Sequence, residues 1–356
     1  MKLVFLTQHV DSDHPVLAQT VDLVSALAAR VDALAVVARS IEAPLPANTT
    51  GRLFEAGSRA KRTLAFERAV AGAMRGADAV VAHMVPEFAL LAAPLTRVRR
   101  TPLLLWYTHW HASRQLKLAT RVVDAAMSVD DASFPIRSPK LHALGHAIDV
   151  ARFDAAPVTD HGGALRLVAL GRTARWKGLT TLLDALELAR ADFTLEIRGP
   201  SLTPDEVDHR QELEDRADGV RIRLLDPIAR DRVPALLADV DAVVSPNEPR
   251  AGATLDKAVF EAAACRRPVL STNQAFAPLL GNLPLQLISA PRDAAALAAG
   301  LDALAAAPYA ERLAVGEELR QRVVSQHSVD HWADGVLRLV TELRSARGTA
   351  GSRPAA

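Results

Sequence analysis

Short apolar runs alternate with amphipathic stretches along most of this chain. Lys2 to Thr7 is a mostly apolar run of strand length, and a polar loop, Gln8 to His14, follows it. From Pro15 to Arg30 the residues Leu17, Val21, Val24 and Leu27 recur at helical spacing, and Val31 to Val37 is a second strand-length run. Strand, loop, helix, strand is the opening unit of a doubly wound parallel sheet. The same rhythm predicts helices over Ser58 to Met74, Glu87 to Leu95 and Arg114 to Ala126. It predicts strands over Asp78 to Ala82, Pro102 to Tyr107, Ala126 to Val129 and Lys140 to Leu144.

Asp154 to Gly163 (DAAPVTDHGG) breaks the rhythm with Pro and paired Gly, which is linker chemistry. The pattern then restarts. Strands are predicted over Leu165 to Leu170, Phe193 to Ile197, Val220 to Leu224, Ala242 to Ser245 and Pro268 to Ser271. Helices are predicted over Gly178 to Arg190, Asp205 to Asp218, Arg230 to Leu237 and Leu255 to Cys265. His327 to Leu343 forms a last helix, and the small polar tail from Arg347 is expected to be disordered. The expected fold class is therefore α/β, with domains at 1–153 and 164–326 and a C-terminal helix at 327–346.

Composition narrows the classes. A chain of 356 residues with 49% hydrophobic and 23% charged residues is ordinary globular material for two cores. Net charge is +1, which argues against a nucleic-acid binder. The charge is uneven, because Met1 to Val150 carries 17 Lys/Arg against 13 Asp/Glu. One cysteine, Cys265, allows no internal disulfide and no multi-Cys zinc site, and fits a reducing, cytoplasmic setting. The first apolar run is too short for a signal peptide, and no run reaches the roughly 18 residues of a membrane span.

In an open parallel sheet, ligands bind beyond the carboxyl ends of the strands. Polar residues just past apolar runs are therefore the candidates: His9, His83, His109, Gly171 with Arg172, Arg198 with Gly199, and Asn247 with Glu248. The segment LVALGRTARWKGL is the most informative. Gly171 permits a tight turn, Arg172 follows, and Lys177-Gly178 opens a helix whose amides add partial positive charge. Two cations so placed form a diphosphate clamp, with Arg as a fork and Lys as a point charge. The bland alternative is two solvated basic residues on a loop.

Further on, a small-residue loop from Arg250 to Thr254 offers the amides of Gly252, Ala253 and Thr254 to a phosphate or sugar. The helix after it carries Asp256, Lys257 and Glu261. Glu261 sits in the small apolar stretch VFEAAAC, where a carboxylate requires a partner. Ribose hydroxyls would serve, and so would Lys257 one turn earlier.

These segments resemble the retaining glycosyltransferases of family 4. The residues that carry the resemblance are Gly171-Arg172…Lys177-Gly178 and Glu261-Ala262-Ala263-Ala264…Pro268-Val269, with a looser match at Gly145, Asp149 and Phe153. The resemblance implies a GT-B architecture, two Rossmann-like domains facing a central cleft that holds a UDP-, GDP- or dTDP-sugar. It implies transfer of a hexose-type sugar to a hydroxyl acceptor with retention. Arg172 and Lys177 would hold the donor diphosphate, Glu261 the ribose, and His109 would lie near the transferred sugar. The leaving phosphate would itself deprotonate the acceptor, so neither a protein nucleophile nor a metal or other cofactor is expected. Two positions depart from the family pattern. The first of its paired glutamates falls at Ala253, with Asp256 and Glu248 as substitutes. The first loop has no glycine, leaving Ser12, Asp13 and His14 to face the cleft.

Two rival readings stay open: a silent donor-binding partner subunit, which the absent glutamate at position 253 favours, and a nucleotide-sugar epimerase or hydrolase on the same fold, which would need a carboxylate or His acid/base set around the sugar. The acceptor side is expected in the first domain, where His9, His14 and His83 lie. The basic amphipathic segment SRAKRTLAFERAVAGAMRG suits an anionic membrane or a lipid-linked acceptor, or else is simply a solvated face. His109 and His111 would share a side if their strand continued, but two imidazoles do not make a metal site. Asp239-Val240-Asp241 imitates a D-x-D metal motif yet precedes a strand, at the wrong end of the sheet, and reads as a helix end with a solvated turn. Asp130-Asp131 reads as a loop pair, and Cys265 as a packing residue. Neither a G-x-G-x-x-G nor a G-x-S-x-G is present.

Overall fold

The computed structural model describes residues 1–14, 16–54, 57–157, 160, 162–248 and 255–350, with side chains through 347. The chain forms two compact units. One comprises Met1–Ala147 and the segment from His327 onward, and the other comprises Ile148–Gln326.

The first unit runs β1 (Lys2–Leu6), β2 (His9–Val10), α1 (Thr20–Ala28), β3 (Ala33–Ala38), β4 (Ser40–Ile41), β5 (Thr49–Leu53), α2 (Arg59–Ala73), β6 (Ala79–His83), α3 (Pro86–Val98), β7 (Leu103–Trp106), α4 (Arg114–Val122), β8 (Ala125–Ser128) and β9 (Leu141–Ala143). Its sheet has the order β5-β3-β1-β6-β7-β8-β9, parallel throughout, with β2 and β4 forming a small separate pair. Strand alternation explains the layering. Leu3 and Phe5 of β1 enter one core, while Val4 and Leu6 enter the other. The first core is covered by α1, through Leu23, Val24 and Leu27, and by the C-terminal helix α12 (Val329–Ala350), through Trp332, Val336 and Val340. Phe66 and Val70 of α2, Phe88 and Ala92 of α3, and Leu116 of α4 cover the second. Burial on both faces is why these strands are continuous apolar runs.

The second unit runs β10 (Leu165–Leu170), α5 (Leu179–Leu188), β11 (Phe193–Arg198), α6 (Pro204–Arg216), β12 (Ile222–Leu225), α7 (Val233–Ala238), β13 (Ala242–Ser245), α8 (Lys257–Ala264), β14 (Val269–Ser271), α9 (Ala277–Leu280), α10 (Ala294–Ala306) and α11 (Tyr309–His327). Its parallel sheet has the order β12-β11-β10-β13-β14. The chain moves outward from β10 to β12, then returns to the other side of β10 with β13. The switch point of this sheet is therefore the carboxyl edge between β10 and β13.

Several elements differ from the sequence expectation. Helix α1 starts at Thr20, not Pro15, because His14 Nδ1 accepts the amides of Val16 and Leu17 and holds that stretch in turns. Strand β5 escaped prediction because it is a solvated edge strand, TTGRL, with no apolar run. Strand β7 ends at Trp106, so His109 and His111 do not continue it. The predicted disordered tail is helical as far as Ala350. Arg347 Nη2 donates to Asp124 Oδ1 at 2.6 Å and Arg344 pairs with Asp78 at 2.8 Å, which ties the helix end to the sheet.

Candidate functional site

Two glycines build the edge of the second sheet. Gly171, just past β10, has φ +136°, and its amide donates to Arg198 O at 3.0 Å. Gly199 lies so close that a Cβ there would sit 1.8 Å from Gly171 O. Only bare backbone permits that approach. A single 3-10 turn, Arg175–Lys177, leads to Gly178, which has φ +66° and starts α5. A Cβ on Gly178 would meet Pro246 O at 1.9 Å, so the start of α5 packs directly on the chain leaving β13. Glu248 N donates to Trp176 O at 2.8 Å and closes the same junction.

Lys177 is buried here. Its Nζ would lie 3.0 Å from a Cβ on Gly171, it stands 4.9 Å above the Trp176 ring, and it donates to Asp256 Oδ2. Asn247 Nδ2 reaches the same carboxylate at 3.4 Å. Burial pushes the Asp256 carboxyl up, but the adjacent Lys177 ammonium and the Asn247 amide outweigh it and hold it below its ordinary range. Buried hydroxyls fix Asn247 in turn: Thr272 Oγ1 donates to its carbonyl at 3.0 Å, and Ser271 Oγ to Ser245 O at 2.9 Å.

Arg172 makes a two-pronged pair with Glu206, through Nε to Oε2 at 3.2 Å and through Nη2 to Oε1. Glu206 is buried at the start of α6 and also accepts from Leu202 N at 2.7 Å. Its helix is capped by Thr203, whose hydroxyl accepts from Glu206 N. Behind this pair, buried His209 donates from Nδ1 to Thr173 O at 2.6 Å, while its Nε2 meets Thr180 Oγ1 at 3.2 Å. The 171–178 loop is thus bolted to both α5 and α6.

The structure therefore corrects the picture of two bare cations, since each is already bonded to a carboxylate. An ammonium buried this deeply requires a counter-charge. Donor capacity survives the pairing. Among the described residues Arg172 bonds through Nε and Nη2, which leaves Nη1, and Lys177 uses one of its three N–H groups. A cavity of about 540 Å³ opens beside Arg172, which lines it with Trp176, Glu206, Glu248 and Arg292; Lys177 is not in that lining. Glu248 is paired there with the exposed Arg292 at 2.5 Å.

The remaining candidates divide. Gly171, Arg172, Lys177, Glu248 and Asp256 come together at the β10–β13 edge. Arg198 contributes its carbonyl, but its side chain turns back along β11 to Glu196 at 2.8 Å. Lys257 and Glu261 are half-buried on α8. Gly252, Ala253 and Thr254 lie outside the described residues. His109 belongs to the first unit, exposed beyond β7, with its ring stacked on Trp110 at 5.3 Å and Nδ1 accepting from His111 N. Partial burial, then repulsion from His111, lowers its pKa. His83 ends β6, buried against Phe5, with Nδ1 2.8 Å from Thr7 Oγ1. His9 stacks on His14 at 4.8 Å and bonds Ser40 Oγ at 2.9 Å. Asp241 is no solvated turn residue. It is buried and accepts Arg166 N at 2.8 Å, holding the amino edge of the sheet. Among the described residues no three His, Cys, Asp or Glu side chains cluster as a metal site would require, and no helix is long and apolar enough to cross a membrane.

Glu206, His209, Trp176 and Arg292 were missed from the sequence, whereas Asn247 had been picked out as a strand-end candidate. Only Glu206 carried a signal, the T-P-D-E start of α6, which resembles a capped helix opening just past a strand end.

Residues 164–307, which contain this whole site, match the family model described as glycosyl transferases group 1. No curated protein sequence matches the chain significantly. The fold matches solved GT-B glycosyltransferase structures over nearly its full length. A glycosyltransferase from Rickettsia africae is 15% identical, with TM-score 0.77, covering 96% of this chain and 98% of that one. Sucrose-phosphate synthase from Thermosynechococcus elongatus is 17% identical, with TM-score 0.75, over 97% and 99%. HepE from Anabaena, solved with UDP and glucose, is 17% identical, with TM-score 0.72, over 96% and 100%. The α/β fold is thus GT-B, with two Rossmann-like parallel sheets.

Proposed function

We propose that this chain is a glycosyltransferase that takes a hexose from a nucleoside diphosphate sugar and passes it to a hydroxyl acceptor with retention. The observation that carries the reading is Lys177, buried at the switch point of the second sheet beside the glycine-only contact of Gly171 and Gly199. The glycine contact draws the ends of β10 and β11 together and leaves Lys177 against Gly171 at that edge, and Lys177, Arg172 and the first amides of α5 supply the hydrogen bonds of a diphosphate. The crystal complexes of HepE with UDP, with UDP-glucose and with UDP and glucose support a nucleoside diphosphate sugar as donor.

In this reading Asp256 and Glu206 hold the two cations in position and do not neutralise them outright. Their remaining N–H groups stabilise the charge that grows on the departing diphosphate, which is the largest catalytic contribution available. Glu261 takes the ribose hydroxyls, and the acceptor proton passes to the leaving phosphate. No step calls for a metal.

The test is a titration of UDP-, GDP- and dTDP-sugars followed by a transfer assay. One nucleotide class binds the native chain, and Arg172→Ala removes transfer with the folded state retained. Turnover undiminished in Arg172→Ala, or binding of no nucleotide sugar at all, would overturn the proposal. Binding without turnover across many acceptors would instead identify a donor-binding partner subunit.

A further inference from the structure

The first unit carries its own cavity, of about 500 Å³, which the donor reading does not use. It lies at the carboxyl edge of the sheet, on the β5-β3-β1 side. Gln8 follows β1, Arg39 follows β3, Phe54 follows β5, and Val85 to Phe88 follow β6. Arg59 and Arg62, from the first turn of the 15-residue helix α2, complete the cationic wall.

Three features define what would fill it. Arg39 is fixed by its backbone, since its amide donates to Gln8 O at 2.8 Å. Its Nε is buried and makes no hydrogen bond, and neither Arg39 nor Arg59 has an ion pair among the described residues. A guanidinium N–H withdrawn from water and left unsatisfied is costly, and an anionic oxygen in the cavity removes that cost. The opposite wall is apolar. Phe54 meets Phe66 and Phe88 edge-on at 5.1 and 5.5 Å, and Phe66 stacks on Phe88 at 5.1 Å. Finally, Glu87, exposed on the rim, is the one carboxylate in the lining among the described residues. It can accept a hydrogen bond from a hydroxyl.

We infer that this cavity is the acceptor subsite for a molecule bearing a phosphate ester beside an apolar group. Arg39 and Arg59, neither of them ion-paired among the described residues, with the partial positive start of α2 beside them, favour an oxyanion over a neutral sugar. The inference rests on the transferase reading for the word acceptor, but the anion site stands on its own geometry.

Calorimetric titration of the full chain separates the two. Phenyl phosphate binds the native chain. Its affinity falls roughly tenfold or more in Arg39→Gln, and several-fold in Arg59→Gln, whose exposed position leaves folding untouched. UDP affinity is unchanged in both variants. Conversely, the Lys177→Met, Asp256→Asn double variant loses UDP and keeps phenyl phosphate. A parallel arm sediments the chain with phosphatidylcholine vesicles that contain phosphatidic acid. Arg39-dependent binding to those vesicles assigns the phosphate to a lipid headgroup, and Arg39-dependent binding of phenyl phosphate alone assigns it to a soluble ester. If neither probe binds in an Arg39-dependent way, the inference is wrong, whatever UDP does. If UDP fails to bind while phenyl phosphate depends on Arg39, the donor reading alone is lost.

Discussion

Replacing Lys177 with Met tests the physical centre of the site without reference to any substrate. The Lys177 side chain is 9% exposed and that of Asp256 17%. Removing one partner of a buried pair typically costs about 3–5 kcal/mol, because the other charge is left stranded. Asp256 keeps some solvent contact and its 3.4 Å bond from Asn247, so the loss belongs at the lower end, about 3 kcal/mol. For a unit of this size that is roughly 6–12 °C off the melting transition. The pH dependence gives the signature. In the native chain the Asp256 carboxyl is held below its ordinary value, so the pair stabilises above that value and fails only as pH drops through the lowered one. Without Lys177 the larger influence of burial prevails over the remaining bonds from Asn247 and the Ala258 amide, and the carboxyl moves above its ordinary value. The unfolded state then sheds its proton first, so the variant loses stability as pH rises from about 4 towards 7. Differential scanning calorimetry at pH 5 and pH 7 reads this directly. The gap to the native chain narrows at pH 5, and adding Asp256→Asn closes most of it at pH 7 without restoring UDP binding. A single variant as stable as the native chain at pH 7, or a deficit untouched by Asp256→Asn, would refute the argument.

Gly199→Ala sets a Cβ 1.8 Å from the Gly171 carbonyl, backbone against backbone, so the ends of β10 and β11 must separate. A loss of about 1–3 kcal/mol in urea denaturation is expected, together with weakened UDP binding, and an unperturbed variant would contradict the geometry. His327 is half-buried near His146 and His331, and burial first, then the two imidazoles, lower its pKa to about 3. It is neutral when folded and takes up a proton on unfolding below about pH 6.5. Stability therefore falls by up to about 1.4 kcal/mol per pH unit from there towards pH 3, and His327→Gln flattens that slope. Burial pushes the Cys265 thiol up to about 12. A maleimide leaves it unmodified in the native chain and labels it in denaturant, and rapid native labelling would contradict its burial.

The α/β rhythm was legible because the central strands are buried on both faces. Leu3 to Leu6 reads as a continuous apolar run for that reason, and so does Leu103 to Trp106. Strand β5 was invisible because only packing against β3, not its own composition, makes TTGRL a strand. The same contrast holds in the site. Gly171, Arg172, Lys177 and Gly178 could be picked out because they follow a strand and open a helix within one short segment. Their pairings could not be read, although Asp256 was itself a candidate, because Glu206 lies 34 residues beyond Arg172 and Asp256 lies 79 beyond Lys177.

What the residues determined alone is what depends on neighbours in the chain: the alternation of strand and helix, the glycines that free a turn, and the cations placed at a strand end. The folded chain decided charge and access. Parallel sheets bring together strand ends that are far apart in sequence, and only there does a lysine acquire its carboxylate or Arg39 its apolar opposite wall. Electrostatic and desolvation energies act through space, so no reading of the chain in order can sum them.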